Sequence, residues 1–399
     1  MEFLQKHRKL ILLLLGNLIA LIIVSNELKA QDQPYIFGTV TTYTGQYTGQ
    51  MQWGDEEAIW FDLFNAEKVE KPKEVSVKNE WSLAKIWTEG GTTIHQFNCQ
   101  FGNIKEIVGI GKSRFTLVQK DGTSIVLNGD GYNDAGSDIR INDLELGMLE
   151  ISWDKIRKIE FKEAPRNLEP MAGTHLYGTV QTDRKGNFKG YLIWDNDERL
   201  DEEKLDGDEK GRDLSIPFKN ISSIKKEGRG CDVTLHSGRT VYLTNSNDVN
   251  EGNRGIMVMN PEIGFIEIPW RYFSQVNFSE PQTDLGYSYF KRPKGISGQV
   301  YTKNESHTGQ LIYDLDEYWE YEMIEGMDDG IQYKIPIHNI RRIEPKNSEY
   351  SEIQLKNGTT LLLGKLRDVT SGNAGILVID KSSKTKHVRW DQVQEIVLD

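Results

Sequence analysis

The 399-residue sequence holds only two cysteines, Cys99 and Cys231, so no disulfide framework braces it and the fold must rest on hydrophobic cores. It has no HExxH, no GxSxG and no phosphate-binding glycine loop. Past the N-terminus its histidines, at 95, 175, 236, 307, 338 and 387, keep no ligand spacing, so no catalytic signature is present. His338 and His387 fall on outward positions of a pattern described below and read as surface residues. Positive charge is scarce too: the net charge is −12, and an acidic surface repels phosphate backbones, which speaks against a nucleic-acid partner. Beyond the first thirty residues no long helical periodicity occurs.

Those first thirty residues differ from the rest. Lys6, Arg8 and Lys9 precede a mostly apolar run from Leu10 to Val24, too short for the roughly 20 residues of a bilayer span, and "ELKA" then offers a cleavage site. The segment 1–30 reads as a secretory signal, whose removal leaves a net charge of −14 and no membrane span. The protein is therefore expected outside the cytoplasm: secreted, periplasmic or on the cell surface.

The remainder repeats itself. "GTVTT" at Gly38, "GTVQT" at Gly178 and "GQVYT" at Gly298 are each followed by a second glycine (Gly49, Gly190, Gly309) and, four residues on, by Trp53, Trp194 or Tyr313. A phrase of spacing apolar-x-apolar-x-x-apolar-x-x-apolar occurs six times: "CQFGNIKEI" from Cys99, "ISWDKIRKI" from Ile151, "IPFKNISSI" from Ile216, "IPWRYFSQV" from Ile268, "IPIHNIRRI" from Ile335 and "VRWDQVQEI" from Val388. The starts lie 52, 65, 52, 67 and 53 residues apart, so two related halves make one repeat of 117–120 residues. Alternation at the start of the phrase is a strand with one buried face, and the following steps of three are one 3₁₀ turn. The pattern predicts strand, 3₁₀ turn, strand, with its four apolar positions in a core. Asn103, Asn220 and Asn339 recur in the first-half copies and are expected to cap the turn.

The expected fold is all-β, in three tandem repeats at 31–163, 174–280 and 295–399, separated by Pro- and Gly-bearing linkers at 162–173 and 279–295. The strand–3₁₀–strand phrase resembles the closing strands of SH3-like small barrels, including their Sm-like and PRC-type members. That resemblance implies two small barrel-like halves per repeat. A six-bladed β-propeller is the alternative.

Candidate site residues lie in the loops. Asp195, Asp197 and Glu198 in the second repeat, and Asp314, Asp316 and Glu317 in the third, crowd three carboxylates into four residues, the kind of oxygen-rich cluster that Ca²⁺ relieves. Glu56 and Glu57 are their counterparts, with Gly54 in place of the first Asp. The plainer reading is a solvated strand end. An insert at about 58–98 in the first repeat carries Trp60, Trp81 and Trp87, which could stack on a glycan or protein or pack back on the core. The loops "NDVNEGNRGI" and "RDVTSGNAGI" match at Asp248 and Asp368, Asn253 and Asn373, and Gly255 and Gly375. Cys99, on an apolar phrase position, reads as core. The leading reading is an exported, non-enzymatic binding or structural protein with a protein or glycan partner at the cell envelope and no cofactor. The alternatives are a Ca²⁺-dependent binding protein and a carbohydrate-active hydrolase using such carboxylates.

Overall fold

The structure, a computed structural model, describes residues 33–399 apart from 55, 70–95, 110–112, 130–133, 166, 169, 172 and 282–284. The expected signal and Trp81 and Trp87 lie outside the described residues. Among the described residues the regular elements are strands and short 3₁₀ turns, as the alternating pattern requires, and no helix is long and apolar enough to cross a membrane.

The first ten strands are β1 (Phe37–Thr42), β2 (Gln46–Trp53), β3 (Leu63–Lys68), β4 (Gln96–Gln100), β5 (Ile104–Val108), β6 (Arg114–Gln119), β7 (Ser124–Asn128), β8 (Ile139–Asp143), β9 (Gly147–Ile151) and β10 (Ile156–Phe161). The next ten are β11 (Tyr177–Thr182), β12 (Gly186–Ile193), β13 (Lys204–Asp208), β14 (Asp213–Pro217), β15 (Ile221–Glu227), β16 (Gly230–Leu235), β17 (Thr240–Leu243), β18 (Ile256–Asn260), β19 (Gly264–Ile268) and β20 (Phe273–Phe278). The last ten are β21 (Ser297–Thr302), β22 (Ser306–Ile312), β23 (Met323–Asp328), β24 (Ile331–Pro336), β25 (Ile340–Pro345), β26 (Tyr350–Leu355), β27 (Thr360–Gly364), β28 (Ile376–Ile379), β29 (Thr385–Val388) and β30 (Val393–Leu398).

The first set pairs in the order β4-β3-β7-β6-β5-β10-β1-β2-β8-β9. The second and third sets follow the same order, except that the β13/β14 hairpin meets β17 through the single bridge Asp208–Thr244. Each order splits into two fives, with the first five inserted in the chain between the second and third strands of the other. That nesting is not the consecutive four-strand meander of a propeller blade. Among the described residues no sheet closes into a barrel. The end strands of each five, such as β9 and β10, flank a 3₁₀ turn of three residues (Trp153–Lys155) and run on around a corner, so they cannot pair with each other.

All six phrases have the predicted form, with 3₁₀ turns at Phe101–Asn103, Trp153–Lys155, Phe218–Asn220, Trp270–Tyr272, Ile337–Asn339 and Trp390–Gln392. Every apolar phrase position is buried except Ile216, which is half-buried. The copies then meet in pairs, because the strands that follow the turns are joined antiparallel at the centre of each set. Ile107 faces Ile159, Ile224 faces Val276 and Ile343 faces Ile396. The asparagines do not cap the turns: Asn339 Nδ2 donates to Pro261 O, while the backbone carbonyls of Asn220 and Asn339 accept from His236 and Lys356. His338 and His387 are half-buried instead of exposed, each held to a carbonyl, of Glu320 and Ala374 respectively.

The recurring glycines face each other across the first hairpin of each set, Gly38 with Gly49, Gly178 with Gly190 and Gly298 with Gly309. A Cβ at any of these six would lie between 1.9 and 2.5 Å from a carbonyl oxygen of the next strand. The bent sheet brings backbone onto both glycines, and only the absence of a side chain allows it.

The second and third sets form one sheet through β19 and β24, with Ile266 facing Tyr333. The linker at 279–295 does more than separate them, since its Tyr287 and Phe290 clamp the first set. The Tyr287 hydroxyl donates to Ile104 O at 2.7 Å, and Lys120 Nζ lies 3.4 Å from the centre of its ring while donating to the carbonyls of Tyr287 and Phe290. Burial pulls the Lys120 ammonium down to about 7. Gly102 completes the clamp, because a Cβ there would stand 2.1 Å from the Phe290 ring.

Candidate cation-binding cleft

The acidic residues sit on one turn that recurs in all three sets. After β2, β12 and β22 the chain folds back so that Trp53 bridges to Glu57, Trp194 to Glu198 and Tyr313 to Glu317. The first turn position has positive φ, +59° at Gly54, +51° at Asp195 and +44° at Asp314. Glycine and Asp both tolerate that region, which explains why the first set replaces the Asp with Gly. The ring of each strand end then donates to a carbonyl on a facing loop: Trp53 Nε1 to Asp134, Trp194 Nε1 to Asp248 and the Tyr313 hydroxyl to Asp368.

Two further carboxylates recur whose first-set members the linear pattern does not reveal. Asp62, Glu203 and Glu322 each accept from the backbone N–H groups three and four residues earlier, closing the loop before β3, β13 and β23. Asp134, Asp248 and Asp368 each accept from a backbone N–H within the same strands, at Asn65, Asp206 and Glu325. The spacing in "NGDGYNDAGSDI" hides Asp134, and the exchange of Glu for Asp hides Asp62; the shared hydrogen bonds align them with their counterparts.

Of the expected Ca²⁺ residues, Asp195, Asp197 and Asp314 are engaged by neighbouring groups. Asp195 accepts from Arg254 N and from Asn247 Nδ2 and pairs with the Arg254 guanidinium, which also holds Asp197 at 3.0 Å. Asp314 accepts from Ala374 N and pairs with Arg367 at 2.8 Å. Each triad stays at its own turn, and among the described residues no group of three or more His, Cys, Asp or Glu side chains is arranged to hold a metal ion. Trp60 is fully buried against Tyr287 and Phe161, so it is core and offers no stacking surface. Residues 58–68 are likewise no insert, since they form the same loop and strand as 199–208. Cys99 and Cys231 are both buried and free.

The sets meet through these acidic turns. Arg199 of the second set, 3% exposed, reaches Glu56 and Glu57 of the first at 3.4 Å each, and His175 stands 3.7 Å from Asp62. Lys68 of the first set enters the third, pairing with Glu322 and donating to Asp316 O beneath the rings of Tyr318 and Phe97. Beside Lys68 opens a cleft of about 230 Å³, whose carboxylates are Asp314, Asp316, Glu317, Glu322, Glu325 and Asp368. Glu317 is 9% exposed, and its Oε2 is buried with no hydrogen-bond partner.

Burial, reinforced by the neighbouring carboxylates, pushes the Glu317 carboxyl well above its usual range, and Lys68 opposes this only in part. Burial and Asp316 push Asp314 up to about 7, and burial with Asp248 pushes Glu198 up to about 8. These groups hold protons in the folded chain at pH values where the unfolded chain has lost them. From these groups stability falls as pH rises from the ordinary carboxyl range toward about 8, and Lys120 opposes the fall only above about 7, where the folded chain loses its proton before the unfolded one. A melting temperature a few degrees lower at pH 8.5 than at pH 5.5 is expected, with a smaller difference in Glu198→Gln; a melting temperature that climbs across that range would contradict the assignment.

No family model, no curated protein and no solved structure matches the chain.

Proposed function

We propose that the chain is an exported, non-enzymatic binding protein whose third-set cleft receives a basic group, ammonium or guanidinium, of its partner. The observation that carries this is the buried, unpartnered Oε2 of Glu317 in a cleft with more carboxylates than cations. The class of ligand follows from the chain's own use of the same turns, where Arg199 occupies the first and Lys68 reaches the third. Export rests on the basic and apolar segment at 1–30. The six strand–turn–strand phrases and the paired five-strand orders support reading each half as a relative of SH3-like small barrels opened at its seam.

The test is calorimetric titration of the purified chain at pH 7 with tri-lysine and, separately, with CaCl₂. Tri-lysine is expected to bind with release of roughly one proton per site, because a carboxyl held neutral by burial ionises against the incoming cation. Glu317→Gln should weaken binding about tenfold, the effect of losing one charge-assisted hydrogen bond. Binding of Ca²⁺ alone would replace this reading with the metal-dependent one, and heat from neither would overturn both.

A further inference from the structure

The outermost strands β9, β19 and β29 hold the same place in the three sets, and their free edges are treated differently. β19 is covered by β24, with Phe265 facing Lys334, Ile266 facing Tyr333 and Glu267 facing Gln332. β29 is left open but bears Lys384 and Lys386 beside its edge, a standard guard against pairing. β9, Gly-Met-Leu-Glu-Ile, has no lysine and, among the described residues, no covering strand, its one charge being Glu150. Among the described residues it pairs on one side only, with β8.

Its surroundings carry three of the seven large exposed apolar side chains among the described residues, with Glu145 and Glu150 exposed beside them. Leu144 is 59% exposed, Leu146 66% and Met148 55%, three large exposed side chains within five residues. Gly147 corresponds to Gly264. A Cβ at Gly264 would strike Lys334 O at 2.2 Å because β24 crosses there, whereas around Gly147 there is open space. The first set thus presents the seat that β24 fills in the second set.

We propose that β9 pairs antiparallel with β9 of a second copy of this chain, forming a two-fold dimer. Among the described residues the counterparts of β24 are β4, buried from Phe97 to Gln100, and β14, which in the β19–β24 register would set Asp213 against Glu150, two like charges. Self-pairing centred on Leu149 avoids this: Met148 lies opposite the second copy's Glu150, and the whole five-residue strand is matched. An isologous contact also closes, so it gives a dimer and no fibre.

Sedimentation equilibrium of the full chain should give a dimer at micromolar concentration, and Leu146→Lys/Met148→Lys should give a folded monomer whose melting temperature no longer depends on protein concentration, since both side chains are more than half exposed in the single chain. Leu149→Cys adds a test of register, because residues facing across the two-fold axis have Cα atoms about 4.5–5.5 Å apart, within disulfide reach. It should form a covalent dimer under mild oxidation, the native cysteines being buried. A parent chain that stays monomeric at ~100 µM, or a dimer indifferent to the lysine pair, overturns the proposal.

Discussion

Gly309→Val is expected to unfold the third set and to lower stability by more than about 4 kcal/mol, beyond the usual range for a single substitution. Gly309 faces Gly298 across the first hairpin, and a Cβ at 309 would sit 2.1 Å from Ile379 O on β28. That oxygen belongs to backbone paired in a ladder, so it cannot swing aside as the end of a flexible side chain would. Making room means breaking the β22–β28 pairing, which joins Gln310, Leu311 and Ile312 to Ile379, Val378 and Leu377 over the core. The control is Gly45→Ala in the first hairpin, where the nearest atoms lie at 3.5 Å and φ is not positive. Urea denaturation followed by circular dichroism distinguishes the two: the valine variant should lose an early transition or express unfolded, and the alanine control should keep the parent midpoint. A Gly309→Val midpoint equal to the parent's would show that the hairpin is not clamped as described.

The six phrases were legible because their cause is local. The period change at Phe218–Ile221–Ile224 acts within a few residues, so the linear pattern carries it, whereas the glycine pairs were legible only as a recurrence, since the carbonyls that exclude a Cβ at Gly38 and Gly309 belong to Glu160 and Ile379, far along the chain. The nesting of one five-strand set inside another was not, because it depends on partners far apart in the chain: β2 finds β8, with Gly49 facing Asp143. The acidic triads were legible as clusters but not as structure. What Asp195 and Asp314 do is set by loops some sixty residues downstream, where Arg254 N and Ala374 N wait for them. Trp60 was ambiguous for the same reason, since the Tyr287 ring that covers it belongs to a linker more than two hundred residues away. The cleft itself appears only when Lys68 and Asn98 of the first set meet the third, Asn98 Nδ2 donating to Glu325 at 3.0 Å.

That meeting supplies the second large effect: Lys68→Met should cost about 3–5 kcal/mol at pH 8, the usual consequence of removing one member of a buried ion pair. The Lys68 side chain is wholly buried and so is its partner Glu322, whose other oxygen is committed to the backbone N–H groups of Tyr318 and Trp319. Burial alone would pull the ammonium down, and the carboxylates of Glu322, Asp316 and Glu317 outweigh it and hold it above its usual value. Methionine fills most of the same volume against Phe97 and Tyr318, so the loss is chiefly one of charge. The sign of the pH dependence follows. Burial already pushes Glu322 and Glu317 above the ordinary carboxyl range with Lys68 opposing, and without Lys68 both rise further. At pH 5 the variant keeps them neutral and loses little. As pH rises from the ordinary carboxyl range toward their folded-state values the unfolded chain binds fewer protons than the folded one, and the variant falls progressively behind the parent. Glu322→Gln added to Lys68→Met removes the stranded charge but keeps an oxygen for the two N–H groups, so the double variant should recover part of the loss at pH 8 and little at pH 5. Equal destabilisation at both pH values, with no recovery in the double variant, would mean that packing alone joins the first and third sets.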